Sequence, residues 1–254
     1  MAPVIDIIRT GETADFLDPP LTEEGLSQAA QLGQIYQETI DTSNVSSIIS
    51  SPMNSAIQTC LVAFKESIHK GRNIVLLPEL QETGIRAADT PLAADQADIA
   101  KYGEIIDYSN VDPDFWIKTR ATRFEPTPEK VELRASCARR FIQDFARTAG
   151  DTGRVVVVTH GAFAHFLAGD FSGLTEGGGR TAWPEAGMRS YTFADLEGDD
   201  EEPELVETPE SCAQHEHKSW AELGPEDRKR LRGYALEELL MEPLYLAHNI
   251  QIED

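Results

Sequence analysis

Four short apolar runs, at residues 4–8, 45–49, 73–77 and 155–158, are rich in Val and Ile and bounded by turn-forming residues. Runs of that length predict strands buried on both faces. Between them the apolar spacing becomes helical. Thr22 precedes Glu23, Glu24 and Gly25, with apolar positions following at Leu26, Ala29, Ala30, Leu32 and Ile35, which predicts a capped helix. A second helix is expected over 54–68. A third starts at Thr127-Pro128-Glu129 and runs to about Ala149, with Lys130 leaving the capping box incomplete. A fourth follows His160-Gly161 and ends near Ala168. Residues 191–193 and 205–208 read as further strands on either side of an acidic loop, 195–204. Strands alternating with helices predict an α/β fold, with a mostly parallel sheet covered on both faces.

Two stretches break the alternation. From 80 to 127, Gly84, Pro91, Gly103, Pro113 and Pro126 interrupt short helical pieces, the pattern of a helical cap inserted over a site. After 209 the spacing predicts one or two amphipathic helices. Arg228 to Arg232 within them read as a solvated basic face. Binding crevices in parallel sheets open at the carboxyl ends of strands. That rule directs attention to 9–12, 50–55, 80–82 and 160–161.

Composition narrows the partners. The chain has 254 residues, 41% hydrophobic, enough for one large domain with a sizeable core. No apolar run approaches the roughly 20 residues of a membrane span. Residues 1–9 lack the basic patch and long apolar run of a signal peptide, so a cytoplasmic location is expected. The net charge is −22, and residues 195–254 carry 18 Asp/Glu against 5 Lys/Arg. Such a surface disfavours nucleic acid, anionic lipid and highly charged phosphate substrates. Cys60, Cys137 and Cys212 are widely spaced with no CxxC pair, which predicts neither a disulfide framework nor a cysteine-rich zinc site. His165 falls on a different helical face from His160. His215 and His217 sit in a polar segment and read as solvent-exposed, so no metal and no organic cofactor are expected. Gly177 to Gly179 do not open a helix after a strand and carry no nucleotide role. Trp116, Trp183 and Phe163 read as core or pocket wall.

The strand-end segments carry a resemblance. Ile7-Ile8-Arg9-Thr10-Gly11-Glu12, Leu21-Thr22-Glu23-Glu24-Gly25-Leu26-Ser27-Gln28-Ala29, Ser50-Ser51-Pro52-Met53-Asn54-Ser55-Ala56, Leu77-Pro78-Glu79-Leu80-Gln81-Glu82 and Val155-Val156-Val157-Val158-Thr159-His160-Gly161 occur in that order. Together they resemble the motifs of the histidine phosphatase, or phosphoglycerate mutase-like, superfamily. Glu207-Thr208-Pro209-Glu210-Ser211 adds the flavour of a fungal-type branch. The resemblance implies a three-layer α/β/α domain over 1–208, a cap insertion at about 83–127, and an acidic helical extension over 209–254.

Two departures matter. The family's nucleophilic histidine follows the first arginine, where this chain has Thr10. Its second phosphate-binding arginine falls at Ser55. A hydroxyl without an adjacent base is a poor nucleophile at neutral pH, and losing an arginine removes a bidentate clamp. The resemblance places Arg9, Glu82 and His160 as catalytic residues, with Thr10, Glu12, Ser55 and Gly161 lining the pocket. With Glu82 raised toward neutrality by apolar neighbours and His160 near its ordinary pKa, the set suits acid–base work on a largely unphosphorylated metabolite. Isomerisation, dehydration or elimination, ring closure and ester hydrolysis all fit, with fungal secondary metabolism as a setting. A catalytically dead pseudophosphatase and a weak phosphatase are the competing expectations.

Overall fold

The computed structural model describes residues 2–92, 102–119, 121–177, 179 and 181–240. Seven strands form one sheet: β1 (Val4–Arg9), β2 (Val45–Ser50), β3 (Ile74–Leu76), β4 (Ile106–Asp107), β5 (Arg154–Thr159), β6 (Met188–Phe193) and β7 (Leu205–Glu207). Their order is β4-β3-β2-β5-β1-β6-β7. The first five in that order are mutually parallel, and β6 and β7 complete the edge in antiparallel register. Helices α1 (Glu23–Thr39), α2 (Asn54–Ala63), α3 (Lys65–His69), α4 (Pro128–Ala149), α5 (Gly161–Ala168), α6 (Pro209–Cys212) and α7 (Pro225–Leu240) complete the architecture.

The alternation of strand side chains builds two cores. Ile5, Ile7, Val155 and Val157 face Ala135, Ala138 and Ile142 of α4 and Phe163 and Leu167 of α5. Ile8, Ile48, Val156 and Val158 face Leu32 and Tyr36 of α1 and Ala56, Ile57 and Cys60 of α2. This is the expected three-layer arrangement. Each fully buried aliphatic side chain contributes about 1.5–3 kcal/mol, which fixes the central strands and hence the level of their carboxyl ends. Within the second layer Asp6 is buried and accepts from Tyr36 Oη at 2.8 Å, Ser190 Oγ at 2.6 Å and both Arg154 Nε and Nη2 at 2.7 and 2.6 Å.

Helix starts follow local chemistry. Thr22 Oγ1 accepts from Gly25 N at 3.0 Å, and Thr127 Oγ1 accepts from Lys130 N at 3.4 Å. Several expectations need correction. The helix expected over 54–68 breaks at Phe64, whose backbone leaves helical geometry (φ −110°, ψ 23°), giving α2 and α3. The described cap residues form 3₁₀ turns at Ala87–Asp89 and Gly103–Ile105, and add β4 to the sheet edge. Helix α7 buries only Ala235 and Leu239, which join the first core. Its basic patch is not simply solvated: Arg228 donates to Trp220 O and Ala221 O, and Arg232 pairs with Glu132 of α4. Trp183 and Phe163 are core residues, whereas Trp116 is exposed. Residues 93–101 of the cap, 241–254 of the extension and Gly178 lie outside the described residues. Among the described residues no helix is long and apolar enough to cross a membrane.

Candidate active site

Strands β1, β5 and β2 lie side by side with Arg9 opposite Thr159 and Ser50 opposite Val158. The residues that follow, Thr10, His160 and Ser51, therefore leave the sheet at one level. Backbone bonds hold them there: Thr10 N donates to Thr159 O at 2.9 Å, and Ser51 N to Val158 O at 3.0 Å. Thr159 Oγ1 donates to Leu80 O at 2.7 Å and ties the segment after β3 to the same edge. The loop after β1 is clamped against α1. A Cβ on Gly11 would lie 2.6 Å from Gly25 O, and one on Gly25 would lie 2.2 Å from Glu12 O. Only hydrogen fits at either position.

His160 is buried, and its Nε2 lies 2.9 Å from Ser51 Oγ. Burial pushes its pKa down to about 4; nearby Glu82 opposes that shift, and Lys118, Arg134 and Arg9 add to it. The imidazole is thus neutral at pH 7, below the near-neutral value expected from sequence. Ser51 is fully buried, so its hydroxyl orients the ring and is not presented to a ligand.

Glu82 is buried, but its setting is not the apolar one expected. Oε1 accepts from Thr83 N at 2.8 Å and Phe163 N at 2.9 Å, and Oε2 accepts from Ala162 N at 3.1 Å. Two of those amides open α5, where free N–H groups favour an anionic partner. The carboxylate anchors the helix that follows His160.

Arg9 turns across the cleft. Nη1 donates to Trp183 O at 2.5 Å, and Nη2 reaches Glu185 Oε1 at 3.4 Å. Glu185 also accepts from Gln28 Nε2, and Gln28 Oε1 accepts from Glu12 N at 2.8 Å. A Cβ on Gly161 would sit 3.1 Å from Arg9 Nε and 2.8 Å from Thr181 Cγ2, so the close approach of α5 to Arg9 needs this glycine. Thr10 and Ser55 are both buried. Ser55 O accepts from Thr59 Oγ1 at 2.8 Å, and that hydroxyl accepts in turn from Gly11 N at 3.3 Å. Glu12 is half-buried and enters the network through its backbone.

Several residues at the site escape a sequence reading. Lys118, buried, donates from Nζ to Glu82 O at 2.7 Å, Gly84 O at 3.0 Å and Asp89 O at 2.5 Å. Arg134, also buried, donates to Glu82 O at 3.3 Å and lies over the Phe163 ring at 4.4 Å. Burial lowers its pKa to about 10, against the pull of Glu82 and Glu79. Asp18 accepts from Asn54 N at 2.9 Å and Leu92 N at 3.0 Å, with its backbone at φ +45°. Burial raises the Asp18 pKa, and those two backbone bonds oppose the rise. Lys118 and Glu185 sit in irregular segments whose spacing carries no signal; the Asp18-Pro19-Pro20 turn was legible, its capping of α2 was not.

The carboxyl edge of the central strands brings together a neutral imidazole, a guanidinium already met by carboxylate, and a hydroxyl at position 10. A model of the histidine phosphatase superfamily (branch 1) matches residues 7–208. Among solved structures, the ecdysone phosphate phosphatase from Bombix mori, determined with tungstate, is 16% identical over 82% of this chain and 93% of its own, with a TM-score of 0.54. A mycobacterial hydrolase 2 is 17% identical over 91% of this chain and 97% of its own, with a TM-score of 0.51. At these identities the likeness is one of fold. No curated protein matches the chain.

Proposed function

We propose that this chain, which belongs to the histidine phosphatase superfamily, moves protons on a small, largely unphosphorylated metabolite and does not transfer phosphoryl groups. What supports the reading is the neutral, buried imidazole of His160 at the strand edge where residue 10, the nucleophile's place by resemblance, is threonine. In the proposed reaction His160 takes a proton from a carbon acid or hydroxyl of the substrate. The electron pair left on the substrate delocalises onto an oxygen facing Arg9, whose guanidinium stabilises the developing charge. A buried imidazolium is a strong acid and readily returns its proton. Return at a second position gives isomerisation or ring closure, and return to a departing hydroxyl gives elimination. Glu82 serves as a positioning residue that fixes the start of α5. Thr10, Ser55, Glu12 and Gly161 shape the cleft. The fungal-type branch and a role in secondary metabolism belong to the same proposal.

One observation favours a second reading, a pseudophosphatase that binds a small molecule without turnover. Three backbone amides already occupy the Glu82 carboxylate, which leaves His160 as the cleft's proton carrier. Incubating the full chain and a His160→Asn variant with a metabolite extract separates the two by mass spectrometry. Depletion of a compound by wild type alone supports the enzyme. Binding of a compound with no depletion supports the pseudophosphatase. Phosphate release from an aryl phosphate that is abolished by His160→Asn, or a trapped phosphohistidine, overturns both.

A further inference from the structure

Beyond the cleft, β7 ends at Glu207 and Thr208 caps the single turn α6, its Oγ1 accepting from Ser211 N at 3.3 Å. That turn sets Cys212 and His215 back against the carboxylate of Glu207. Cys212 Sγ lies 3.4 Å from Glu207 Oε2, and His215 Nε2 lies 3.0 Å from Oε1 and 3.2 Å from Oε2. One ligand atom from each residue lies within 4.8 Å of the others. The expectation that His215 and His217 are solvent-exposed is corrected here, since both are half-buried.

The surroundings aim these atoms. His215 Nδ1 faces His217 O at 3.2 Å, and a carbonyl only accepts, so Nδ1 carries the proton. Nε2, on the opposite edge of the ring, faces both carboxylate oxygens of Glu207, where a proton or a cation would lie between them. Ser211 Oγ donates to Glu207 Oε1 at 2.7 Å and accepts from Ser190 N at 3.0 Å, orienting the carboxylate from behind. A carbonyl behind the imidazole and a hydroxyl behind the carboxylate are the supports that metal-binding side chains use. The Glu207 side chain is 4% exposed and that of His215 15%, and Cys212 is half-buried beside them.

We propose that Glu207, Cys212 and His215 bind zinc(II), with water completing a four-coordinate site. Sulfur, nitrogen and oxygen donors together suit zinc, whereas calcium and magnesium reject thiolate. Zinc bonds of about 2.0–2.3 Å in a tetrahedron give ligand-to-ligand edges of roughly 3.2–3.6 Å. The 3.0 and 3.4 Å separations already approach those edges. On binding, the Cys212 Sγ–H bond breaks, its proton leaves to the buffer, and a Zn–S bond forms. His217 stands outside the ligand set: its ring stacks on His215 with centroids 4.0 Å apart, and its Nε2 is engaged 3.1 Å from Arg189 Nη2. The metal would pin the α6 turn to β7 at the edge of the sheet.

Dialysis of the tag-free chain against zinc, followed by elemental analysis, tests this. Wild type and His217→Ala are expected to retain one zinc per chain. Cys212→Ser and His215→Ala are each expected to bind at least about a hundredfold more weakly, the upper end of what losing a mere supporting residue costs. Wild type without zinc, or either ligand variant with zinc equal to wild type, overturns the site. Should the variants unfold by circular dichroism, cobalt(II) substitution of wild type decides. A near-ultraviolet thiolate-to-cobalt charge-transfer band supports the site, and its absence overturns it.

Discussion

Glu185 Oε1 lies 3.4 Å from Arg9 Nη2, so a carboxylate of the chain itself already meets the cation of the cleft. Both side chains are partly exposed, at 36% and 24%, so the pair contributes only about 0–1 kcal/mol. The Glu185 carboxylate offsets positive charge that Arg9 would otherwise present to an anion, and Ser55 supplies no second guanidinium.

Anion binding should follow that charge. Millimolar phosphate or tungstate should leave the wild-type Tm unmoved, because only a ligand that binds the native state raises it. Glu185→Gln should give a measurable increase with tungstate. Thermal melts with and without the oxyanion check both statements, and a large wild-type shift would refute the discharged clamp.

Acid should destabilise the fold through two histidines. Burial pushes both His160 and His165 down to about 4, from an ordinary value of 6.5. His165 is held neutral by geometry as well: Nδ1 faces Asp170 O at 2.7 Å while Nε2 accepts from Ala182 N at 3.1 Å. As pH falls below 6.5 the unfolded chain takes up protons that the folded chain refuses until about pH 4. Stability is therefore fullest above 6.5 and is lost as pH falls toward 4, by on the order of a few kcal/mol for the pair. His165→Gln, which can donate and accept in the same places, should flatten that loss. Urea unfolding at pH 7 and pH 5 gives the two slopes, and equal slopes would reject the assignment.

Lys118 should act as the fastener of the cap. Its ammonium satisfies carbonyls of Glu82, Gly84 and Asp89, and hydrogen bonds to a charged group contribute about 1.5–3 kcal/mol each. Lys118→Met should speed amide exchange and proteolysis across residues 83–92 before the sheet is affected. Hydrogen exchange read by mass spectrometry would show it. Unchanged protection there would count against the role.

The Asp6–Arg154 pair should dominate the polar stability of the sheet. Arg154→Met strips both of its bonds from a fully buried carboxylate, which typically costs about 3–5 kcal/mol. Denaturant titration measures the loss, and a change under about 1 kcal/mol would mean that Tyr36 and Ser190 suffice.

The central strands and the caps at Thr22 and Thr127 were legible because burial and capping are written in residues a few positions apart. Strand β4 was not, since two residues carry no period. The break at Phe64 likewise leaves apolar spacing intact. In the cleft, the motifs brought His160, Arg9 and Glu82 to one edge, but their partners could not be read. Glu185 and Lys118 arrive from irregular segments, and two of the three amides that hold Glu82 belong to a helix about 80 residues away. Glu207, Cys212 and His215 are near neighbours in sequence. A three-residue strand followed by a single turn gives no pattern that shows they converge.

Bare hydrogens at Gly11 and Gly25, together with the Thr159 and Ala186 bonds to Thr10, fix the main chain at position 10 whatever side chain it carries. Side chain and frame are thereby separable at this position, since none of those contacts passes through the Thr10 hydroxyl or methyl.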